Sequence, residues 1–401
     1  MSEKIKCNIN VYGAFDRFNY GDLLFPMIIK NALNERLTNT KYNFYGTVES
    51  DLSDMGGVPT RSIKRLLNCS GSIQGNNCLI IAGGDILGVS FPFSHLCLLR
   101  SVLARSIFQK VYKNISAEKA TLISKWLLGL TKLQLPFIVD KKKVPGYKVI
   151  YNSVGGVMKS EKESGFSALR EADFISVRDI RTLSELKTNV PNVHLIPDSA
   201  VIMSKFYPKD TLETLVSNKA KEQVQSLVKG NYICFQIVLS SYRQAAEVVV
   251  DSLKHLMKTL GVPVLLLAIG RAYLHEDQIA LRDIAGKMPG QCFFSDDDSI
   301  YDIMYKIAHA KVFLGTSLHG NITALSYGIP HVGINPNVKK LDSHFKTWLP
   351  EINNGCVAFK DICESGVNAC KIKRKILCAK KDKLISLVEK QFDAIANIIE
   401  S

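Results

Sequence analysis

At 401 residues, 46% of them apolar and 22% charged, this is the sequence of a globular protein too long for one ordinary core, and two domains of roughly 150–200 residues are expected. Lysine and arginine number 51 against 37 acidic residues, and the net charge of +14 favours anionic partners: phosphorylated substrates, nucleic acid or an acidic membrane surface. Nucleic acid is set aside, because the sequence has no RNA-binding aromatic signature, zinc-finger spacing or long basic block.

The start of the chain, MSEKIKCNINVYG, enters a strand without the apolar core of a signal peptide. IKCNINVYG (Ile5 to Gly13) reads as a buried strand, and LLFPMIIKNALNERL (Leu23 to Leu37) as a helix opened by Asp22 as N-cap. Leu79 to Ala82 is an abrupt strand stopped by Gly83 and Gly84. Tyr147 to Gly156 is another, and short strands follow around Ile175 and Leu195. The polar, lysine-rich stretch from Tyr207 to Asn231 reads as a boundary. Beyond it a second alternating series runs through YICFQIV, AAEVVVDSLKHLMKTLG, VPVLLLAIG, a helix around Gln278 to Lys287, QCFFS, DSIYDIMYKIAHA, KVFLG and HVGI. Strand, glycine turn and helix in repeated order predict an α/β protein with two Rossmann-like domains facing a central cleft. The expected bounds are 1–206 for the first domain on the acceptor side, 207–230 for a linker, 231–345 for the second domain on the donor side, and 346–401 for a C-terminal helical extension that can cross back to the first half.

None of the ten cysteines forms a CxxC pair, so a zinc site of the usual spacing is excluded and no metal is expected. Free thiols in a reducing, cytoplasmic compartment fit that pattern. Cys356, Cys363, Cys370 and Cys378 fall at steps of seven, seven and eight, which on one helix would place them on a shared, packed face. No uncharged apolar run approaches the ~20 residues of a membrane span. The stretch from Phe91 to Val139 is apolar on one side and basic on the other. That pattern suits either a helix packed on the protein's own core or a peripheral contact with the inner membrane surface, with Trp126, Leu127 and Leu130 inserting and Lys125 and Lys132 meeting headgroups.

The chemistry concentrates where strands end. GTSLHGNITALSYGIPHVGI (Gly315 to Ile334) places His319 at the mouth of a turn opening a helix, where unpaired backbone N–H groups and small residues let an anion approach. FNYGD holds Asn19 and Asp22, AGGDIL holds Asp85, SVRD holds Arg178 and Asp179, and IPDS holds Asp198. Each alone is as well explained as a turn or a helix cap.

Taken together, YGAFDRFNYGDLL, LIIAGGDIL, FISVRDIRTLSEL, VHLIPDSAVI, YICFQI, AIGRAYLHED and FLGTSLHGNITALSYGIPHVGI resemble the polysaccharide pyruvyl transferases, in that family's order and over nearly the whole chain. The resemblance implies a glycosyltransferase-B-like fold. It also implies transfer of the pyruvyl group of phosphoenolpyruvate, the co-substrate, onto two hydroxyls of a sugar, free or lipid-linked, with no cofactor, nucleotide or metal. Carried over, His319 matches the catalytic histidine and Arg178 a donor-binding arginine. Asp85 is expected to assist catalysis, and Asn19 and Asp22 to meet the acceptor. Ser317, Gly320, Asn321 and Arg271 are expected around the donor. Many members have an arginine two residues before the histidine, where this chain has Ser317, so that cationic contact is either missing or supplied by another residue such as Arg243 or Arg271. The alternative is a glycosyltransferase of the same fold using a nucleotide sugar, with Glu276 or Asp277 on the ribose. A binding protein that kept the fold and lost activity is a third.

Overall fold

Cys7–Tyr12 forms strand β1, with all six residues buried, as expected of a strand covered on both faces of a parallel sheet. In the computed structural model, which describes residues 6–68, 75–159, 161–227, 231–273 and 275–401, β1 is joined by β2 (Thr40–Gly46), β3 (Arg61–Ser62), β4 (Asn76–Ala82), β5 (Tyr147–Val154), β6 (Phe174–Val177) and β7 (Val193–Leu195). The sheet order is β3-β2-β1-β4-β5-β6-β7, and every pairing is parallel. The second sheet contains β8 (Ile233–Gln236), β9 (Val264–Leu267), β10 (Cys292–Ser295), β11 (Val312–Gly315) and β12 (His331–Gly333). Its order is β10-β9-β8-β11-β12, again all parallel. β2 and β3 were not among the strands expected from sequence: β2 is only half-buried, so its apolar pattern is diluted.

Strand order reverses between β1 and β4 in one sheet and between β8 and β11 in the other. At such a point successive loops leave in opposite directions and open a crevice at the strands' C-terminal ends. Both crevices contribute to one cleft between the sheets.

One apolar cluster joins the halves. It takes Val11 and Ile80 from the first sheet, Leu24 and Ile28 from the helix Tyr20–Asn34, Ile303 from the helix Ile300–Ala308, Ile322 from the helix Leu318–Ser326, and Val388 and Phe392 from the tail. A shared apolar interface holds the cleft walls in register, where a polar one would let the domains rock. The tail is one helix, Arg374–Glu400, that returns to the first half. There Gln391 donates to Ser153 Oγ at 3.2 Å, Arg36 pairs with Asp393 at 2.7 Å, and Lys6 pairs with Glu400 at 2.8 Å.

Several local expectations are corrected. The first helix begins at Tyr20 rather than Leu23, and Asp22 lies inside its first turn. The stretch read as a linker carries two helices, Lys209–Leu215 and Asn218–Ser226, whose Leu212, Ala220 and Val224 are buried; residues 228–230 lie outside the described residues. A lysine-rich surface had masked that buried stripe. Cys363 and Cys370 share the helix Ile362–Lys371, but Cys356 precedes it and Cys378 belongs to the tail helix, so the four share no single face. Nine cysteines are free among the described residues, and Cys69 lies outside them. No described helix is long and apolar enough to cross a membrane.

Two buried histidines set an acid limit on this fold. His331 begins β12 and His344 lies on the helix Lys339–Trp348; burial lowers them to about 4 and about 3. Both therefore stay neutral when folded, whereas the unfolded chain protonates near the ordinary histidine value. Their contribution is complete above about pH 6.5 and lost as the pH falls toward 4. We expect roughly 2 kcal/mol of lost stability per histidine at about pH 5, read as a falling Tm in calorimetry. A Tm that stays level from neutrality to that pH would contradict it.

Candidate active site

His319 is the second residue of the helix Leu318–Ser326, and Ser317 caps that helix by accepting from the Gly320 N–H at 3.1 Å. It stands within the first helical turn, buried at 8% exposure, rather than on an open turn. The ring is clamped from the other half of the molecule. A Cβ on Gly21 would fall inside it, next to Nδ1, and Phe25 meets it edge-on with centroids 5.5 Å apart. Gly21 thus has a specific reason to be glycine: it admits the histidine. On the other side, Nε2 lies 3.4 Å from Asp198 Oδ2, too long for a good hydrogen bond, and Nε2 has no other partner. Catalytic hydrogen bonds are often long without substrate, and a proton on Nε2 points at this carboxylate.

Asp198 follows β7 and is fully buried. Burial would raise its pKa, but His319 and Arg178 outweigh that and hold it well below the carboxylate range. Arg178, directly after β6, is also buried. Its Nη1 donates to Asp198 at 2.8 Å and its Nη2 to Asp85 at 2.9 Å, while Nε is unpartnered. Gly155 makes room for this cluster, since a Cβ there would meet Arg178 Nε at 2.6 Å and Asp85 Oδ1 at 2.8 Å. Asp85 also accepts two bonds from Arg181, at 2.7 and 2.8 Å. Burial opposes its ionisation, but Arg178, Arg181 and Lys340 hold it at about 2. A carboxylate so firmly ionised does not carry protons near neutrality. Asp85 is thus held between the two arginines on the cleft wall.

Around this cluster the cleft encloses about 380 Å³ between the two sheets. Asn19 and Asp22 line it and are bonded to each other at 2.8 Å. Their loop is fastened to the second half: Asn19 bridges Gly270, and Phe18 lies under the Arg271 guanidinium at 4.2 Å.

Several residues assigned to the donor have other partners. Ser317 lines the cleft, but its hydroxyl is engaged in capping and its N–H donates to Gln236 at 2.8 Å. Gly320 packs on Phe313 and Ile269, away from the cleft. Asn321 donates to the Gly315 and Ser317 carbonyls at 3.1 and 2.8 Å, tying the strand end to the helix start. Arg271 donates to the Asp298 carbonyl and Arg243 is exposed; neither lines the cleft. The small polar residues of a strand-to-helix turn are needed to build the turn itself, and their hydrogen bonds are consumed there.

The cations that do line the cleft include Arg17, beside Asp16 at 3.0 Å, and Lys340. Lys340 makes no ion pair among the described residues. Burial lowers its pKa, with Asp85 opposing and Arg178 adding to the effect. It sits in the first turn of the helix Lys339–Trp348, where the helix dipole disfavours a cation unless an anion is nearby. Sequence reasoning stopped at HVGI, although the rule that selected the other site residues (the loop after a strand) applies equally to NPNVKKL after β12. Asp277 also borders the cleft. Burial raises it to about 6, against the N–H donors of Gly270, Gln236 and Ile269.

Two facing parallel sheets with a cleft at the C-terminal ends of their strands define a two-domain fold of the glycosyltransferase-B type. Solved structures agree on the fold. UDP-GlcNAc 2-epimerase from Neisseria meningitidis bound to UDP-GlcNAc gives a TM-score of 0.52 at 10% identity, covering 96% of this chain and 100% of that one. The epimerase from Rickettsia bellii gives 0.52 at 12%, covering 98% of each. An alpha-glucosyltransferase in complex with UDP and DNA gives 0.50 at 9%, covering 98% and 99%. Among curated proteins no match is found. The polysaccharide pyruvyl transferase family model matches residues 19–337, and the chain belongs to that family.

Proposed function

We propose that the protein transfers the pyruvyl group of phosphoenolpyruvate onto two hydroxyls of a sugar in a surface polysaccharide or its precursor, forming a cyclic ketal and releasing phosphate. One observation carries the assignment beyond the family: His319 of the second half is seated against the buried Arg178–Asp198–Asp85 cluster of the first, inside a cleft that also holds the unpaired Lys340.

Phosphoenolpyruvate brings a carboxylate and a phosphate. Lys340, Arg17 and the Leu318 and His319 N–H groups, which as first-turn groups have no intrahelical acceptor, supply donors for both. One sugar hydroxyl attacks the enol carbon, and its proton ends on the methylene carbon, which becomes methyl. The C–O bond to phosphate then breaks, the second hydroxyl attacks the same carbon, and its proton leaves with the phosphate. His319 is placed to relay these protons, with Asp198 balancing its charge when protonated. Asn19 and Asp22, on the first-half wall, suit hydroxyl recognition.

A nucleotide-sugar donor fits less well. Glu276 is paired with Arg105 at 3.5 Å, and Asp277 is fully buried with three N–H groups on its Oδ2, which leaves only its buried Oδ1 for a ribose. Phosphate release from phosphoenolpyruvate with a panel of sugars, and a pyruvate ketal in the product by mass spectrometry, tests the reaction. Activity with a nucleotide sugar alone would replace it. Lys340→Met is expected to raise the donor KM about tenfold or more, the worth of one charge-assisted hydrogen bond, with a smaller change in kcat. An unchanged KM would remove Lys340 from the donor site.

A further inference from the structure

Of fifteen large apolar side chains exposed among the described residues, nine lie between Phe93 and Leu127. Eight of the nine cluster on two helices, Val102–Lys113 and Ala117–Leu128. The first helix buries no residue at all. Its inner side meets His95 through Tyr112 at 2.8 Å, and Tyr112 in turn accepts from Ser124 of the second helix at 2.9 Å. The outer sides are left open: Val102 is 70% exposed, Leu103 71%, Leu122 65% and Trp126 72%.

From this we infer that the outer face of these two helices docks the protein onto an anionic membrane surface. Lys110 and Lys113 fall on the same arc of the first helix as Val102, Leu103 and Ile107, and Lys119 lies beside Leu122 and Trp126 on the second. From Phe91 to Leu135 there are seven basic residues and one acidic one, Glu118. Apolar side chains with lysines interspersed are suited to a headgroup region, where the lysine stems lie with the apolar groups and the ammonium heads reach phosphates. Lysine is depleted at the centres of protein interfaces. A second copy of this chain would also set like charges against each other. Trp126, at the most exposed point, has the amphipathic ring favoured at bilayer interfaces.

The surface differs from the one expected from sequence. Leu130 is buried in the core, and Lys132 donates to the Leu67 carbonyl at 3.0 Å, so both are withdrawn from it. The inner side of the first helix reaches the cleft rim: Gln109 bonds the Tyr273 hydroxyl, and Arg105 stacks over the Tyr273 ring at 4.7 Å. Docking by the outer side would thus hold that rim beside the headgroups. None of this depends on which reaction the cleft performs.

Flotation of the full chain with phosphatidylglycerol-containing vesicles and with pure phosphatidylcholine vesicles tests the inference. Binding is expected only to the anionic vesicles, at low ionic strength. Lys110→Glu with Lys113→Glu should lower the partition on the order of tenfold or more, and added salt should do the same. Leu103→Ser with Trp126→Ser should abolish it without changing circular dichroism, because both side chains are exposed. Tryptophan emission of the unmodified protein should shift to the blue on adding anionic vesicles, and Trp126→Phe should remove that shift. Lack of flotation at low salt, equal flotation of the variants, or a dimer that Trp126→Ser dissociates in place of vesicle binding would each overturn the inference.

Discussion

His319→Gln is expected to lower turnover by about 10²–10⁴-fold, the usual contribution of a general acid–base group. Glutamine is preferred to alanine for a structural reason. The imidazole fills the space that Gly21 leaves open and packs edge-on against Phe25, so truncation would also open a hole between the halves. Glutamine retains bulk and a donor toward Asp198 but cannot relay protons. The measurement is steady-state phosphate release from phosphoenolpyruvate by a variant whose Tm is close to that of the parent. Turnover within a few-fold of the parent would remove His319 from the chemistry. Asp198→Asn separates positioning from proton transfer. It should lower kcat and alter the pH profile, because the charge facing Nε2 is lost, while the donor KM changes little.

Arg178→Lys is the second large effect expected. The guanidinium spans two carboxylates, Asp198 and Asp85, through separate nitrogens. An ammonium is a single point on a flexible stem and cannot hold both in this geometry. One charge-assisted hydrogen bond between buried groups is worth about 1.5–3 kcal/mol, so a clear fall in Tm should accompany a loss of roughly 10–100-fold in kcat/KM. The Arg178 carbonyl also accepts from Trp348 Nε1 at 2.7 Å, so displacement of this loop would be felt by the helix that carries Lys340. If Tm and kinetics both match the parent, the two-carboxylate bridge of Arg178 contributes neither to the fold nor to the site.

These expectations rest on groups that the sequence shows to very different degrees. The alternation of short apolar runs with amphipathic helices, punctuated by glycine at strand ends, was enough to give the two parallel sheets apart from β2 and β3. Strands buried on both faces must be apolar throughout, and loops at their C-terminal ends must turn sharply. That local logic places His319, Arg178, Asp85, Asn19 and Asp22 on loops or helix starts that line the cleft. It does not show which atoms are still available. Asn321 and the Ser317 hydroxyl sit at the right place in the chain, yet their hydrogen bonds close the turn that carries the histidine.

Asp198 and Gly21 acquire meaning only through contact, because their partner His319 lies more than a hundred residues further along, on a helix of the other half. Lys340 follows β12, a strand legible in the sequence, but only packing shows that it makes no ion pair among the described residues. The stretch after Tyr207 and the helices after Phe91 both mix lysines with apolar residues. One hides a buried stripe and the other exposes its apolar side. Periodicity along a chain determines which residues share a face. What covers that face is decided when distant segments meet, since burial is a property of neighbours and not of sequence position.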